Sequence, residues 1–414
     1  MMVDMTAPAP ESAAPQSPST GNAATFHDWW QAARPHTWPN AIAPVVAGTG
    51  AAALYGQAHI GRALLALIVS WALIVGVNYA NDYSDGIRGT DEGRTGPTRL
   101  TASGLARPEE VKLAAYAAFA LAAVVGLILT ITAGAWWLII IGAACILAAW
   151  FYTGGEHPYG YAGFGELAVF VFFGLVAVMG TEFVQSGFVS WEGFLLALGV
   201  GAISASVNLA NNIRDIPTDA AAGKRTLAVR IGDEHARTMF CVLTLVPFIV
   251  SVALCMSFLP SLAGLAALPL AVASILVVRR GAQGADLIPV LGMNGRAMLA
   301  WALISALAFA FGGAALGRTV PYEDEPSSQN SFLEDPFAED PLAVPGDEYG
   351  SADEYFDNVT ETETETETET ETRTEVSTEL ETPVIATEPQ VYSPFADPYD
   401  ENDLYGDADV VITE

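Results

Sequence analysis

Nine runs of about 20 predominantly apolar residues recur along this chain, at roughly 38–55, 60–80, 112–133, 135–153, 164–184, 193–212, 236–257, 261–279 and 296–315. Each is long enough to cross the hydrocarbon core of a bilayer as a helix. Lipid offers no partner for backbone N–H and C=O groups, so a segment of this kind must satisfy them internally, and runs this long do so as helices. The expected fold class is therefore all-α, a polytopic membrane protein with nine transmembrane helices. The first run carries Pro39 and Pro44 and is expected to be kinked or partly re-entrant.

Charge divides the chain. It is 52% hydrophobic, yet its net charge is -30, a combination that points to segments of different character. From Thr319 to the end there are 29 Asp and Glu against the single Arg373, whereas the first 318 residues carry only -2. The acidic segment, with its Glu-Thr repeat from Glu361 to Thr372, is too poor in apolar residues to build a core and is expected to be a disordered extracellular tail spanning 319–414. Residues 1–28, rich in Ala, Pro, Ser and Thr without the basic and apolar regions of a secretory signal, are expected to form a disordered cytoplasmic leader. That leaves a membrane domain over 29–318. Cys145, Cys241 and Cys255 all lie in apolar runs without metal-ligand spacing and read as buried small hydrophobes.

Basic residues give the orientation. With the N-terminus inside, 14 of the 17 Lys and Arg fall on the inner side, and only Arg62, Arg318 and Arg373 on the outer. Cytoplasmic loops carry such an excess, which predicts a multi-pass protein of the cell membrane with its N-terminus in the cytoplasm. Neither a nucleic acid nor a protein partner is implied.

The polar residues at the inner ends of the second and sixth runs carry the chemistry. Asn78, Asn81, Asp82 and Asp85 are spaced i, i+3, i+4 and i+7, which puts them toward one face if the helix continues. Asn208, Asn211, Asn212 and Asp215 repeat the spacing, with Asp219 four residues further on. Carboxylates in a membrane helix cost about 2.5 to 3.5 kcal/mol each near the bilayer centre, less toward the interface. Hard divalent cations such as Mg2+ use one or two carboxylates and complete their shell with water and phosphate oxygens. Arg94 and Arg99 follow the first stripe and Lys224 the second, types suited to phosphate. The pattern predicts a Mg2+ and diphosphate site. Helix capping and the inside preference for bases are the plainer explanation, and explain a single Asp-x-x-x-Asp better than a matched pair.

A third inner loop, Tyr152 to Glu166, is rich in glycine and tyrosine and has no Lys or Arg. Its tyrosines either line an aromatic or cation-stabilising pocket or belong to the interfacial aromatic belt. His157 is the loop's candidate general base.

These residues carry a resemblance. Asn81-Asp82-x-x-Asp85, Asp215-x-x-x-Asp219 within the phrase Asn211 to Ala228, Ala33-Arg-Pro-His-Thr-Trp-Pro39 and Pro158-Tyr-Gly-Tyr161 are together similar to the intramembrane aromatic prenyltransferases of the UbiA superfamily. The likeness runs from about Trp29 to Arg318, and is greatest to the branch whose acceptor is 1,4-dihydroxy-2-naphthoate. It implies a nine-helix bundle whose cytoplasmic end binds a polyprenyl diphosphate through Mg2+, with the chain in an apolar channel, and an aromatic acid as second substrate. By position, Asp82, Asp85, Asp215 and Asp219 would hold Mg2+, supported by Asn78, Asn81 and Asn208. Arg94, Arg99 and Lys224 would meet the diphosphate, and Arg34, His36, Tyr152 and His157 would belong to the substrate site. His36 and His157 stand where relatives would often carry Lys or Arg, and could replace them only when protonated, so activity is expected to fall as pH rises through a histidine pKa. Another aromatic or haem acceptor is the alternative within the family. A transporter with paired acidic helices is the alternative outside it, although transporters place such groups nearer the midplane.

Overall fold

The computed structural model describes residues 23–90 and 99–317. In chain order the helices are α1 (Phe26–Ala32), α2 (Pro39–Leu54), α3 (Ile60–Ile87), α4 (Pro108–Ala133), α5 (Leu138–Phe151), α6 (Gly165–Ser186), α7 (Trp191–Arg214), α8 (Ile216–Ala221), α9 (Leu227–Ile231), α10 (Asp233–Leu254), α11 (Leu259–Arg279) and α12 (Gly284–Leu316). No strand occurs among the described residues. Each of the nine apolar runs is helical. Seven helices, α3, α4, α6, α7, α10, α11 and α12, are long and apolar enough to cross a membrane. The other two, α2 with 16 residues and α5 with 14, reach only about 24 and 21 Å at 1.5 Å per residue, short of a hydrocarbon core of about 30 Å.

Local sequence explains where helices begin and end. Thr25 accepts from the backbone N–H of Asp28, whose carboxylate accepts from the N–H of Thr25 in return, a reciprocal cap that starts α1 inside the stretch expected to be leader. Pro39 opens α2 at its first position, where a missing N–H is harmless, and the helix runs on through Pro44 to Leu54. Gly134 closes α4 with φ +69°, a conformation that strains any side chain but glycine. Along α6, Phe170–Met179 widens into a π-helix between two α-helical ends.

Packing depends on small residues, as in bundles where lipid supplies no hydrophobic drive between helices. A Cβ on Gly174 of α6 would stand 2.5 Å from Gly201 Cα of α7, and one on Gly50 of α2 equally close to Ala306 Cα of α12. Those backbones touch because glycine lets them. α7 is the innermost span, 78% buried over its most apolar window. The fully buried Trp301 of α12 packs among Ala47, Val200 and Phe248 and donates its indole N–H to Ser251 Oγ at 2.9 Å. Below it Asn294 joins four helices: its Nδ2 donates to Ser206 and Thr244, and its Oδ1 accepts from Ser274 at 3.0 Å. Both ends of the Asn294 amide are thereby satisfied.

Candidate active site

A cavity of about 620 Å3 runs from the C-terminal end of α3 between α3, α4, α5 and α6. Along α3 it extends from Asp85 back to Ala66, about 28 Å at 1.5 Å per residue. One end is polar, with Asp85, Asp219, Asn78, Asn81, Lys224 and Arg99 in its wall. The rest is apolar, with Leu73, Val77, Leu127, Ile146, Phe172 and Val176. The last two lie on the π-helical stretch of α6, whose wide turn shapes this wall.

At the polar end the stripe of α3 divides. Asp85 is buried, and its Oδ1 accepts from Tyr161 Oη and lies 3.3 Å from Lys224 Nζ. The Lys224 ammonium also sits 4.4 Å from the Tyr161 ring centroid. Asp82 does something else. Its two oxygens accept the backbone N–H groups of Leu100 and Thr101, both at 2.9 Å, so it anchors the chain where it returns toward α4 and does not form part of the cavity wall. At about 100° per residue Asp82 lies about 100° around the helix from Asn81, enough to turn it from the cavity to the loop.

The amides are fixed by their neighbours. Asn78 Nδ2 donates to Ala33 O at 3.0 Å and Thr37 Oγ1 at 3.1 Å, and Asn81 Oδ1 accepts from Thr153 Oγ1 at 2.7 Å. On α7, Asn208 Oδ1 accepts from Tyr152 Oη at 3.2 Å, and Asn212 Nδ2 donates to Glu166 Oε1 at 2.6 Å. Burial raises the Tyr152 hydroxyl pKa, and burial together with the Asp85 charge raises that of Tyr161, so both remain hydrogen-bond donors.

The second stripe does not copy the first. α7 ends at Arg214, Asp215 is the junction, and Asp219 belongs to the separate short helix α8, opened by Pro217. Arg214 donates to both oxygens of Asp215, from Nε at 2.7 Å and Nη2 at 2.8 Å. Asp219 faces the cavity and Asp215 does not. Each stripe therefore sends one carboxylate to the cavity and uses the other beside it.

The remaining predicted residues separate likewise. Arg34, His36, Arg99, Tyr152, Asn208 and Lys224 line the cavity. Arg34 is the one non-glycine residue at positive φ among those described, 51°, in the turn that carries it to the wall; such strain is held only where surroundings enforce it. His36 is largely buried beside Arg34 and Arg214, and burial first, then those two cations, lowers its pKa to about 4. That direction runs against a protonated substitute for Lys or Arg at that position in the ligand-free chain. His157 is exposed and outside the cavity wall; its loop turns it to solvent while Tyr152 and Tyr161 turn inward. Arg94 lies outside the described residues, as do Asp91, Arg318 and the tail.

Among the described residues no three Asp, Glu, His or Cys gather as a metal cluster, so the four-carboxylate cage is not formed by these side chains. The donors that share the cavity, Asp85 and Asp219 carboxylates among asparagine amides, are hard oxygens. They match a cation that takes one or two carboxylates and leaves positions for phosphate and water. The set fits Mg2+.

Sequence reasoning left Thr153, Glu166 and Arg214 without a role, and did not single out Tyr161 among its loop's tyrosines. Tyr161 stood among the three tyrosines from Tyr152 to Tyr161, and nothing in spacing tells that its hydroxyl meets Asp85 while that of Tyr159 turns to Ala148 O. Arg88 holds the same loop, donating to Thr153 O and Gly155 O with its guanidinium 5.6 Å from the Tyr161 ring centroid.

Known proteins agree with this architecture. A protein of Mycobacterium tuberculosis named 1,4-dihydroxy-2-naphthoate octaprenyltransferase is 56% identical over 289 residues, 70% of this chain and 99% of that one. A protein of the same name from Escherichia coli is 38% identical over 218 residues, 50% of this chain and 70% of that one. Among solved structures, a UbiA homolog from Archaeoglobus fulgidus bound to GPP and Mg2+ superposes with a TM-score of 0.51 at 16% identity, over 70% of this chain and 99% of that one. The sequence profile of the UbiA prenyltransferase family matches residues 41–290. With these spans and this match, the chain is a multi-pass membrane protein that belongs to the UbiA prenyltransferase family.

Proposed function

We propose that this chain transfers a polyprenyl group from polyprenyl diphosphate to 1,4-dihydroxy-2-naphthoate, releasing diphosphate and carbon dioxide and yielding demethylmenaquinone in its reduced form. The observation that carries the reading is the single cavity in which a wall of carboxylates, amides and cations opens into an apolar passage about 28 Å long. A substrate with a diphosphate head and a long hydrocarbon tail has that polarity. The names of the Mycobacterium tuberculosis and Escherichia coli relatives support the acceptor.

The chemistry follows from the wall. The allylic C–O bond breaks with its electron pair passing to diphosphate, and Lys224, Arg34 and Arg99 are placed to receive that growing charge, with Arg94 joining from outside the described residues. Asp85 and Asp219 would hold Mg2+ among the Asn78 and Asn81 amides, and Mg2+ when bound supplies Lewis-acid stabilisation of the diphosphate. The Archaeoglobus fulgidus structure with GPP and Mg2+ supports the metal. Asp82 and Asp215 act at one remove, fixing the loop at Leu100 and the side chain of Arg214. The Tyr161 ring face, which already receives an ammonium at 4.4 Å, suits an allylic cation. The apolar walls keep water from that cation. The ring carbon bearing the carboxylate forms the new C–C bond, and the carboxylate leaves as CO2, returning its electron pair to the ring.

The excess of basic residues at the acid-bearing helix ends supports a site on the cytoplasmic side of the cell membrane. It also supports the short helices α2 and α5 completing nine spans, with residues 29–318 as the catalytic domain between a leader and an extracellular tail. The test is mass spectrometry of products from the purified protein, Mg2+, a series of prenyl diphosphates and either 1,4-dihydroxy-2-naphthoate or 4-hydroxybenzoate. A prenylated naphthalenediol lacking the carboxyl group is expected, abolished by chelator. Product from 4-hydroxybenzoate alone, or undiminished turnover in chelator, would refute the acceptor or the metal respectively.

A further inference from the structure

Glu166, in the first turn of α6, is a buried acid that the reaction above does not use. It is 3% exposed, and Asn212 Nδ2 donates to its Oε1 at 2.6 Å. Its Oε2 is buried with no hydrogen-bond partner, and no Lys, Arg or His pairs with it among the described residues. Asn208, one turn earlier on α7, also buries an unpartnered Nδ2, while its Oδ1 is taken by Tyr152. Gly165 makes the approach possible: a Cβ there would stand 3.0 Å from Tyr152 Oη and 3.1 Å from Asn208 Nδ2. A lone carboxyl among amides is a costly way to fill space.

What Glu166 does is set polarity. An asparagine side chain offers a carbonyl oxygen on one side and an amino group on the other, and in a buried site the neighbours decide which way it points. Asn212 lines the cavity and Glu166 does not. Since Asn212 spends its Nδ2 on Glu166, the oxygen is the atom left for the cavity. With the amide reversed, two N–H donors would face the cavity and an oxygen would face a carboxyl.

We propose that Glu166 is a positioning residue that fixes Asn212 with its carbonyl oxygen toward the cavity, where that oxygen accepts a ring hydroxyl of the aromatic acceptor beside Tyr152. The inference rests on the reading of this cavity as the seat of aromatic prenyl transfer. It assigns the hydroxyl-recognising end of the acceptor site to the start of α6 and the end of α7.

The test compares 4-hydroxy-2-naphthoate, whose hydroxyl has no internal partner, with 2-naphthoate, binding each to the full-length protein in lipid nanodiscs without prenyl diphosphate, by calorimetry. The wild type should prefer the hydroxylated ligand by about tenfold, the worth of one good hydrogen bond. Glu166→Gln keeps an acceptor for Asn212 and should keep the preference. Glu166→Leu and Asn212→Leu should each lose it, and their combination should lose no more than either alone. A preference retained in Asn212→Leu or Glu166→Leu, or lost in Glu166→Gln, overturns the proposal; should Glu166→Leu fail to fold, the other two variants decide it. Wild-type turnover of 1,4-dihydroxy-2-naphthoate is measured alongside. Absent turnover refutes the functional reading, whereas turnover with a preference that no variant changes refutes this inference alone.

Discussion

Lys224 and Asp85 form a pair whose side chains are 8% and 5% exposed, with 3.3 Å between Nζ and Oδ1, so solvent screens them little. Replacing Lys224 by Met keeps the length of the side chain and removes the charge. Asp85 is then a buried carboxylate whose remaining side-chain donor in the folded chain is the Tyr161 hydroxyl. Breaking a buried pair from one side costs about 3 to 5 kcal/mol, and the tyrosine bond places this case at the lower end, about 3 kcal/mol. Adding Asp85→Asn removes the stranded charge. The double variant Asp85→Asn/Lys224→Met should recover most of the loss, although neither original group is present. Unfolding in detergent, followed by circular dichroism through a denaturant series, reads all four corners of the cycle. Turnover behaves differently: Lys224→Met should lower kcat by about 10²–10³, the cost of one preorganised group facing developing charge, and the double variant should recover none of it. The reasoning fails if Lys224→Met lies within about 1 kcal/mol of wild type, as a solvated pair would, or if the second substitution brings no recovery.

Burial holds His36 near pKa 4 against 6.5 when solvated, so between those values the unfolded chain binds more protons and stability falls as pH drops from 6.5 toward 4. His36→Gln should flatten that part of the stability curve, by about 3 kcal/mol in all, and leave the pH–rate profile near neutrality unchanged. His157→Ala, at an exposed position away from the cavity, should change neither kcat nor KM in the same assay. Gly174→Leu should destabilise the protein by several kcal/mol in thermal unfolding, because its Cβ would meet Gly201 Cα at 2.5 Å and backbone cannot move aside. Removal of residues 319–414 should leave turnover in vesicles unchanged.

The fold was legible because the membrane leaves so few solutions. An apolar run near 20 residues has to be helical, and all nine runs are, with edges that moved where a cap or proline outweighed hydropathy: α3 continues through its polar end to Ile87, and α12 starts at Gly284, well before the apolar run. Span number was less legible, since α2 and α5 are helical yet short and hydropathy alone does not separate a short helix with apolar flanks from a full crossing. Around Pro44 the helix α2 is continuous, packed against α7 and α12.

The site was legible in its ingredients and not in their division of labour. Helical spacing grouped Asn78, Asn81, Asp82 and Asp85, yet one face of a helix is wide enough to serve two neighbours, and the loop at Leu100 took Asp82 while the cavity took Asp85. At the second stripe Arg214, one residue before Asp215, occupied that carboxylate and left Asp219 to the cavity. In both cases backbone amides or a guanidinium that needed an acceptor stood nearer than the cavity did. Had all four carboxylates pointed inward without a metal, they would have repelled one another in a low dielectric and left loop and arginine unsatisfied. Spending half of them on the scaffold is what leaves the other half, buried, at the place where a cation is to arrive. It follows that Asp82→Asn should weaken turnover through the loop, with a higher KM for prenyl diphosphate, whereas Asp85→Asn should remove turnover altogether, with the stability cost of a Lys224 left unpaired. Equal loss of turnover at equal stability in the two variants, measured by kcat and by unfolding, would show that both carboxylates serve the cavity.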